Sequence, residues 1–305
     1  MRVGVTGSSG FVGTALIDAL RSRGDDVVRF VRPDSTDTND SLIRWDPAMQ
    51  LVDDGDLRRV GGLDAVVNLA GAGIADKRWS ATRKREILLS RTDSTALLVK
   101  ALLSMPDGTP MLASGSAVGY YGSRGSELLD ETSSPGDDFL ADVCVQWEEA
   151  TAPLEHAGAT VARLRTGIVM STEGGALKKQ LPLFRLGLGG RLASGRQWLS
   201  PISLRDEVRA ILWVLDHRLE GPVNLVAPIP LTNRHFTKLL GQALHRPTVT
   251  RVPAMALKTV LGKELVKGAV LASQRVEPMV LLKSGFKFDD PGATSIVRHS
   301  LQTHT

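Results

Sequence analysis

The sequence predicts an α/β protein, a doubly wound parallel sheet with a small, mostly helical C-terminal substrate domain. Three observations predict it. The first is the opening of the chain, where the apolar run Val3-Gly4-Val5 gives way to glycines at 7, 10 and 13 and then to a stretch of helical period. A short, β-branched, uncharged run suits a strand buried on both faces of a parallel sheet. Val12, Ala15, Leu16, Ala19 and Leu20 then recur at i, i+3, i+4, i+7 and i+8, which is one apolar helix face. The second is the recurrence of this alternation through the first two-thirds of the chain, which calls for crossover helices on both faces of one sheet. The third is composition: 305 residues, 42% hydrophobic and 23% charged, can bury a large core in one or two domains.

Residues 6 to 13, Thr6-Gly7-Ser8-Ser9-Gly10-Phe11-Val12-Gly13, make the turn between strand and helix. The spacing Gly-x-x-Gly-x-x-Gly differs from the Gly-x-Gly-x-x-Gly of the ordinary dinucleotide fingerprint. The chemistry is shared: glycines admit turn dihedrals and close approach, and a helix N-terminus offers free N–H groups to an anion. Gly7, Ser8, Ser9, Gly10, Phe11 and Val12 are therefore candidate cofactor contacts, and Gly24 closes the helix. The second strand, 27–31, ends at Arg32-Pro33. An acid about 20 positions past the turn would accept from an adenosine 2′-hydroxyl, whereas an arginine accommodates a 2′-phosphate, so Arg32 favours NADP over NAD. The alternative is a strand-end cation in solvent beside Asp34.

A third strand ends at 43–47, stopped by Pro47, where Trp45 and Asp46 either flank an adenine or serve as packing and turn residues. The run 64–71 is apolar and finishes in Leu69-Ala70-Gly71, the small residues needed where backbone passes close to a cofactor. Ser80 opens a long helix with Ile87, Leu88, Arg91, Thr95, Leu98 and Leu102 near one face, broken at Pro106. The basic run 77–85 at its start reads as a solvated face, with Arg78 and Trp79 as candidate substrate contacts. The fifth parallel strand, 110–114, then runs into Gly115-Ser116-Ala117-Val118-Gly119-Tyr120-Tyr121-Gly122.

With the motifs at 6–13, 68–71 and 114–122 in view, the chain resembles the extended branch of the short-chain dehydrogenase/reductase superfamily. Within that branch it resembles the atypical, epimerase-family group (nucleoside-diphosphate-sugar epimerase-like), through Lys77-Arg78-Trp79, Ser116-Ala117-Val118-Gly119-Tyr120-Tyr121-Gly122 and the glycine-rich stretch at 174–191. The resemblance implies a Rossmann-type sheet, a cofactor contact at Ser114, a substrate-orienting Ser116, and a segment Arg165-Thr166-Gly167-Ile168-Val169 whose Gly167, Ile168 and Val169 pass the nicotinamide. It also implies a Tyr-x-x-x-Lys pair on the next helix, the phenol exchanging a proton with the substrate hydroxyl. Here the sequence departs from the family, because 138–148 holds neither tyrosine nor lysine. Leu140 and Cys144, or Phe139 and Val143, stand in those places according to register. Tyr120 and Tyr121 are the only tyrosines in the chain, and Tyr120 with Ser116 is the candidate acid–base pair, packing being the alternative for both tyrosines.

Beyond the sixth strand, 159–165, the stretch 174–191 combines helix formers with a glycine tail, the composition of a lid or substrate loop. The stretch 193–206 resembles the diphosphate clamp of nucleotide-sugar enzymes, but the expected arginine is Leu199. An anionic substrate would instead meet Arg185, Arg191 or Arg196. A last strand at 221–228 and helices near 232–244 and 253–272 complete the chain. Residues 1–170, with 205–227 returning to them, are expected to form the dinucleotide-binding domain. Residues 171–204 and 228–305 form the substrate or C-terminal domain.

Composition excludes several classes. No run approaches the ~18 apolar residues of a membrane span, and the N-terminus enters a strand without a leader, so a cytoplasmic, membrane-free protein is expected. The single Cys144 excludes an internal disulfide, and six histidines in no metal-spaced cluster argue for no metal. Net charge +4 is scattered and aromatics are few, which argues against nucleic acid and leaves an anionic cofactor and a small-molecule substrate; a homo-oligomer is compatible with this reading. Two functions stand side by side: an NADP-dependent oxidoreductase or epimerase acting on a hydroxylated, anionic small molecule, and an NADP-binding sensor or interaction protein without turnover.

Overall fold

The computed structural model describes residues 1–37, 41–105 and 108–302, so Pro106 lies outside the described residues. The first half runs β1 (Arg2–Thr6), α1 (Phe11–Ser22), β2 (Asp26–Val31), β3 (Leu42–Asp46), β4 (Leu51–Val52), α2 (Asp54–Val60), β5 (Ala65–Asn68), α3 (Ala81–Leu103), β6 (Met111–Ala117), β7 (Leu128–Leu129), α4 (Phe139–Glu149), α5 (Ala152–His156) and β8 (Val161–Thr166). The second runs β9 (Ile168–Met170), α6 (Gly175–Arg185), β10 (Gly190–Leu192), β11 (Trp198–Leu199), β12 (Pro201–Ser203), α7 (Leu204–Asp216), β13 (Gly221–Leu225), β14 (Leu231–Thr232), α8 (Asn233–Ala243), β15 (Thr250–Val252), α9 (Ala254–Leu261), α10 (Lys263–Leu265), β16 (Arg275–Val276), α11 (Met279–Lys283) and α12 (Ala293–Gln302).

The main sheet has the order β13-β8-β6-β5-β1-β2-β3-β4, parallel throughout except for the β3/β4 hairpin. That hairpin and α2 were not anticipated; Asp53 caps α2 by accepting from Asp56 N–H. From β1 the chain winds one way through β2 and β3, then returns beside β1 as β5 and winds the other way. The strand order reverses between β1 and β5, and a cleft opens where their C-terminal ends diverge. The strands are apolar because both faces are covered. Val3, Val5, Leu16, Leu20, Ala65 and Val67 pack on one side under α1 and α7, while Val28, Ile43, Val66, Leu98 and Leu112 pack on the other under α2 and α3. Each fully buried leucine or valine contributes roughly 1.5–3 kcal/mol.

A third cluster joins Met170, Leu177, Phe184, Leu231, Phe236, Leu240 and Ile296, which is the core of the C-terminal part. Here the glycine tail of 174–191 departs from the expected flexible loop. A Cβ at Gly189 would stand 2.4 Å from the Phe184 ring, and one at Gly190 2.4 Å from the Thr250 carbonyl, so these glycines permit close packing. The helix expected over 253–272 is interrupted at Gly262, whose φ of +93° ends α9. Leu281 and Phe286 pack into the first core, Phe286 lying edge-on to Trp213 of α7, so the segment 281–286 packs with the sheet while α12 packs in the third cluster.

Candidate active site

The cleft at the strand reversal measures about 860 Å³ and is lined by Gly7, Ser8 and Ser9, by Arg29 to Arg32, Ser35 and Trp45, and by Ala70, Gly71, Ala72 and part of α3. Its floor is held from the first residue of the glycine turn. The Thr6 hydroxyl donates to Asn68 Oδ1 at 2.7 Å and accepts from the Leu69 and Ala70 amides, fixing the two strand ends together. Asn68 in turn donates to Thr95, which also accepts from the Trp147 indole. The glycines divide their work. Gly7 has φ +63° and a Cβ there would meet the Leu69 carbonyl at 2.6 Å; a Cβ at Gly13 would meet the Gly7 carbonyl at 2.3 Å. Both are demanded by the fold itself. At Gly10 a Cβ would approach only the Gly7 carbonyl, at 3.3 Å, and φ is −75°, so the fold leaves space in front of the α1 N-terminus. That space is a cradle suited to a pyrophosphate.

The sequence-derived cofactor residues separate on this surface. Gly7, Ser8, Ser9, Arg32, Ala70 and Gly71 line the cleft, whereas Gly10, Phe11, Val12 and Leu69 border it without lining it. Phe11 is turned against Gly174. Ser114 is 1% exposed and accepts from Asn68, so it braces the strand end from behind. A Cβ at Gly167 would stand 2.2 Å from the Ser200 carbonyl, so protein fills the space on that face; Ile168 donates its amide to Ser200, and Val169 is core. Trp45 packs edge-on to Phe30 at 5.7 Å and still borders the cleft, while Asp46 accepts from the Ala48 and Met49 amides and pairs with Arg32 at 3.1 Å.

At the end of β6 stands a buried ionic network that sequence reasoning missed. Ser116 donates to Glu148 Oε1 at 2.6 Å, and Arg165 clamps Glu148 with two bonds of 2.8 and 2.9 Å. The same guanidinium donates to the Tyr121 hydroxyl at 3.1 Å and stacks 3.5 Å from the Tyr120 ring centroid. Burial works against the Arg165 cation, but its bonds to Glu148 outweigh that and hold its pKa above the usual guanidinium value. Tyr121 is fully buried and donates to Asn224 at 2.7 Å, and burial pushes its phenol up to about 12, which leaves it structural. Among the described residues the Tyr120 hydroxyl has no protein partner, which separates the two tyrosines. The available signals were Arg163 and Arg165, two charges at alternate positions of β8, and Glu148 on the face of α4 that carries Cys144 one turn earlier.

Leu140 and Cys144 lie over Gly119, where a Cβ would meet Cys144 Sγ at 3.5 Å and Leu140 Cβ at 3.6 Å. Cys144 contacts Ser116, and burial, then the charge of Glu148, push its thiol up to about 12, so it is not a nucleophile. In either register, Leu140 and Cys144 or Phe139 and Val143, the residues in place of a tyrosine–lysine pair carry no phenol and no amine.

The proposed substrate residues do not converge. Arg78 donates to the Val260 carbonyl at 2.9 Å and also to that of Thr259, tying its loop to α9. The Trp79 indole donates to Ile74 and its ring meets Phe139 edge-on. Arg185 is exposed at the end of α6, Arg191 lines a separate cavity of about 530 Å³ with Arg234, His235 and Lys238, and Arg196 lines a third of about 310 Å³ with Trp198. Among the described residues there is no group of three His, Cys, Asp or Glu side chains placed to hold a metal, and no helix is long and apolar enough to cross a membrane.

Comparison with known proteins gives two family matches: residues 3–139 match the NAD dependent epimerase/dehydratase family, and residues 252–300 match a domain of unknown function, DUF1731. Epimerase family protein Mb2239 of Mycobacterium bovis is 43% identical over 287 residues, 94% of this chain and 93% of its own. The crystal structure of human epimerase family protein SDR39U1 with NADPH superposes with a TM-score of 0.89 at 32% identity, covering 99% of this chain and 100% of that one. A nucleoside-diphosphate sugar epimerase from Corynebacterium glutamicum gives 0.77 at 33%, covering 99% of this chain and 58% of that one.

Proposed function

Because the chain belongs to the epimerase family of atypical short-chain dehydrogenase/reductase proteins, we propose that it is an NADP(H)-dependent oxidoreductase or epimerase of a hydroxylated, anionic small molecule. The observation that carries the cofactor half is Gly10, where a Cβ would meet only the Gly7 carbonyl at 3.3 Å, in front of the α1 N-terminus and beside the cleft that Arg32 lines. The related SDR39U1 structure with NADPH supports it. Ser8, Ser9 and the α1 N-terminus would hold the pyrophosphate, and Arg32 the 2′-phosphate. Bound there, the nicotinamide supplies or accepts a hydride.

On the substrate side, Arg165 clamps the Glu148 side chain, which holds the Ser116 hydroxyl in one orientation, so Ser116 accepts a hydrogen bond from a substrate hydroxyl. Tyr120, positioned by the Arg165 guanidinium under its ring and with its own hydroxyl uncommitted, is the proton donor. The apolar Leu140 and Cys144 favour a second reading, cofactor binding without turnover. A screen for NADPH oxidation over sugars and carbonyls decides between them. Ser116→Ala and Tyr120→Phe should each slow turnover about a hundredfold with cofactor affinity unchanged. Unchanged rates in both would remove this site from the chemistry, and a screen without a substrate would leave the binding reading.

A further inference from the structure

Arg91 is a cation without a counter-charge in the wall between the two halves of the site. It projects from α3, where one terminal nitrogen donates to the Ile87 carbonyl one turn back at 3.0 Å and lies 3.5 Å from the Ser90 hydroxyl. Its Nε and other terminal nitrogen have no protein partner among the described residues, and no carboxylate lies within 4.0 Å of it. Other arginines of this wall are paired, Arg165 with Glu148 and Arg83 with Glu86. The guanidinium carbon lies 5.0 Å from the centroid of the Trp147 ring of α4, and a Cβ at Gly71 would stand 3.3 Å from it. Burial, with Arg83 nearby, pulls its pKa below the usual guanidinium value, although it remains a cation. A half-buried charge with free donors and no acid is unfavourable unless a ligand brings acceptors to it.

Its place defines those acceptors. Gly71 lines the dinucleotide cleft, and Cys144, which feels the Arg91 charge, contacts Ser116. Arg32, Ser8, Ser9 and Gly71 line the cleft, Arg91 stands directly behind Gly71, and Cys144 links Arg91 to Ser116 on the far side. A dinucleotide whose 2′-phosphate meets Arg32 and whose pyrophosphate meets Ser8 and Ser9 presents next its second ribose, a vicinal diol adjoining the anionic pyrophosphate. We propose that Arg91 binds the nicotinamide ribose of NADP(H), its free guanidinium donors taking the ribose hydroxyls and its charge facing the pyrophosphate. This rests on the cofactor reading above. It makes α3 the source of the cation for this part of the cofactor, since α4 offers only Leu140 and Cys144 there.

The test compares two ligands that differ beyond the adenosine. NADPH and 2′,5′-ADP are titrated against the parent, Arg91→Leu and Arg91→Lys, with circular dichroism confirming the fold. We expect Arg91→Leu to weaken NADPH at least tenfold and 2′,5′-ADP less than twofold, and Arg91→Lys to recover most of the loss. Unchanged NADPH affinity in a folded Arg91→Leu overturns the proposal, as does equal weakening of both ligands. If Arg91→Leu does not fold, Arg91→Gln is held to the same two criteria. A parent that binds neither ligand removes the cofactor reading itself, and the proposal with it.

Discussion

The glycine-turn end of the cleft and the Ser116 end lie on one sheet edge but are built from different materials. The first is backbone: a turn, a helix N-terminus, and two glycines whose missing side chains let strand and helix meet. The second is side chain, with Ser116, Glu148, Arg165 and Tyr121 drawn from four elements spread over 50 residues of sequence and closed by hydrogen bonds out of solvent. A backbone site tolerates change around it so long as the glycines stay. A buried ionic site fails as a unit, because removing one partner strands the other charge.

That difference predicts the largest effect at the Ser116 end. Glu148→Gln leaves the Arg165 guanidinium buried without a carboxylate and should cost about 3–5 kcal/mol in urea denaturation. A variant as stable as the parent would mean that the network is less dry than its burial indicates. A second acid in the same region gives the next effect. Glu207 of α7 accepts from Thr166 at 2.8 Å, its other oxygen is buried without a partner, and burial pushes its pKa up to about 8. The folded chain thus keeps a proton that the unfolded chain releases, so stability declines as pH rises from about 4.5 to 8, by up to about 1.4 kcal/mol per unit. Glu207→Gln should match the parent near pH 5 and exceed it by roughly 2–4 kcal/mol at pH 8. A pH-independent difference would show that Glu207 is ionised in the native state.

At the backbone end the expected loss is of binding, not of fold. Gly10→Val places branched atoms in the space before the α1 N-terminus, where the fold itself needs none. It should weaken NADPH at least a hundredfold, about 2.7 kcal/mol, with an unchanged circular dichroism spectrum. Gly13→Val, which would drive a side chain into the Gly7 carbonyl, should unfold the protein instead. If Gly10→Val binds NADPH normally, the pyrophosphate lies elsewhere.

The same contrast explains what was legible in the sequence. The glycine turn, the strand ends and Ser80 as the cap of α3 are local signals, each written within a few residues, and all appear in the structure. The pairing of Arg165 with Glu148 was not legible, because it is set by the β6/β8 register and the packing of α4, neither of which one sequence displays. Arg185, Arg191 and Arg196, alternatives for an anionic substrate and near one another in sequence, are distributed by α6, β10 and the loop after it, Arg191 and Arg196 lining two separate cavities.

Arg32 provides the smallest predicted effect and the finest test of the backbone end, because it is an exposed charged side chain among the backbone and small residues that line it. Its guanidinium is 61% exposed and leans on Asp46 at 3.1 Å, while Asp46 also accepts two backbone amides and so keeps its place without the arginine. A 2′-phosphate would therefore compete for a cation held by one solvent-facing bond, worth little by itself. A charge-assisted pair with the phosphate should make NADPH bind at least tenfold tighter than NADH, about 1.4 kcal/mol, and added salt should narrow the gap. Arg32→Ala should abolish the preference by weakening NADPH alone. The neighbouring acid makes the contrary outcome specific: if NADH binds as tightly as NADPH and Asp46→Asn weakens it, Asp46 accepts from a 2′-hydroxyl and Arg32 is no more than its counter-ion.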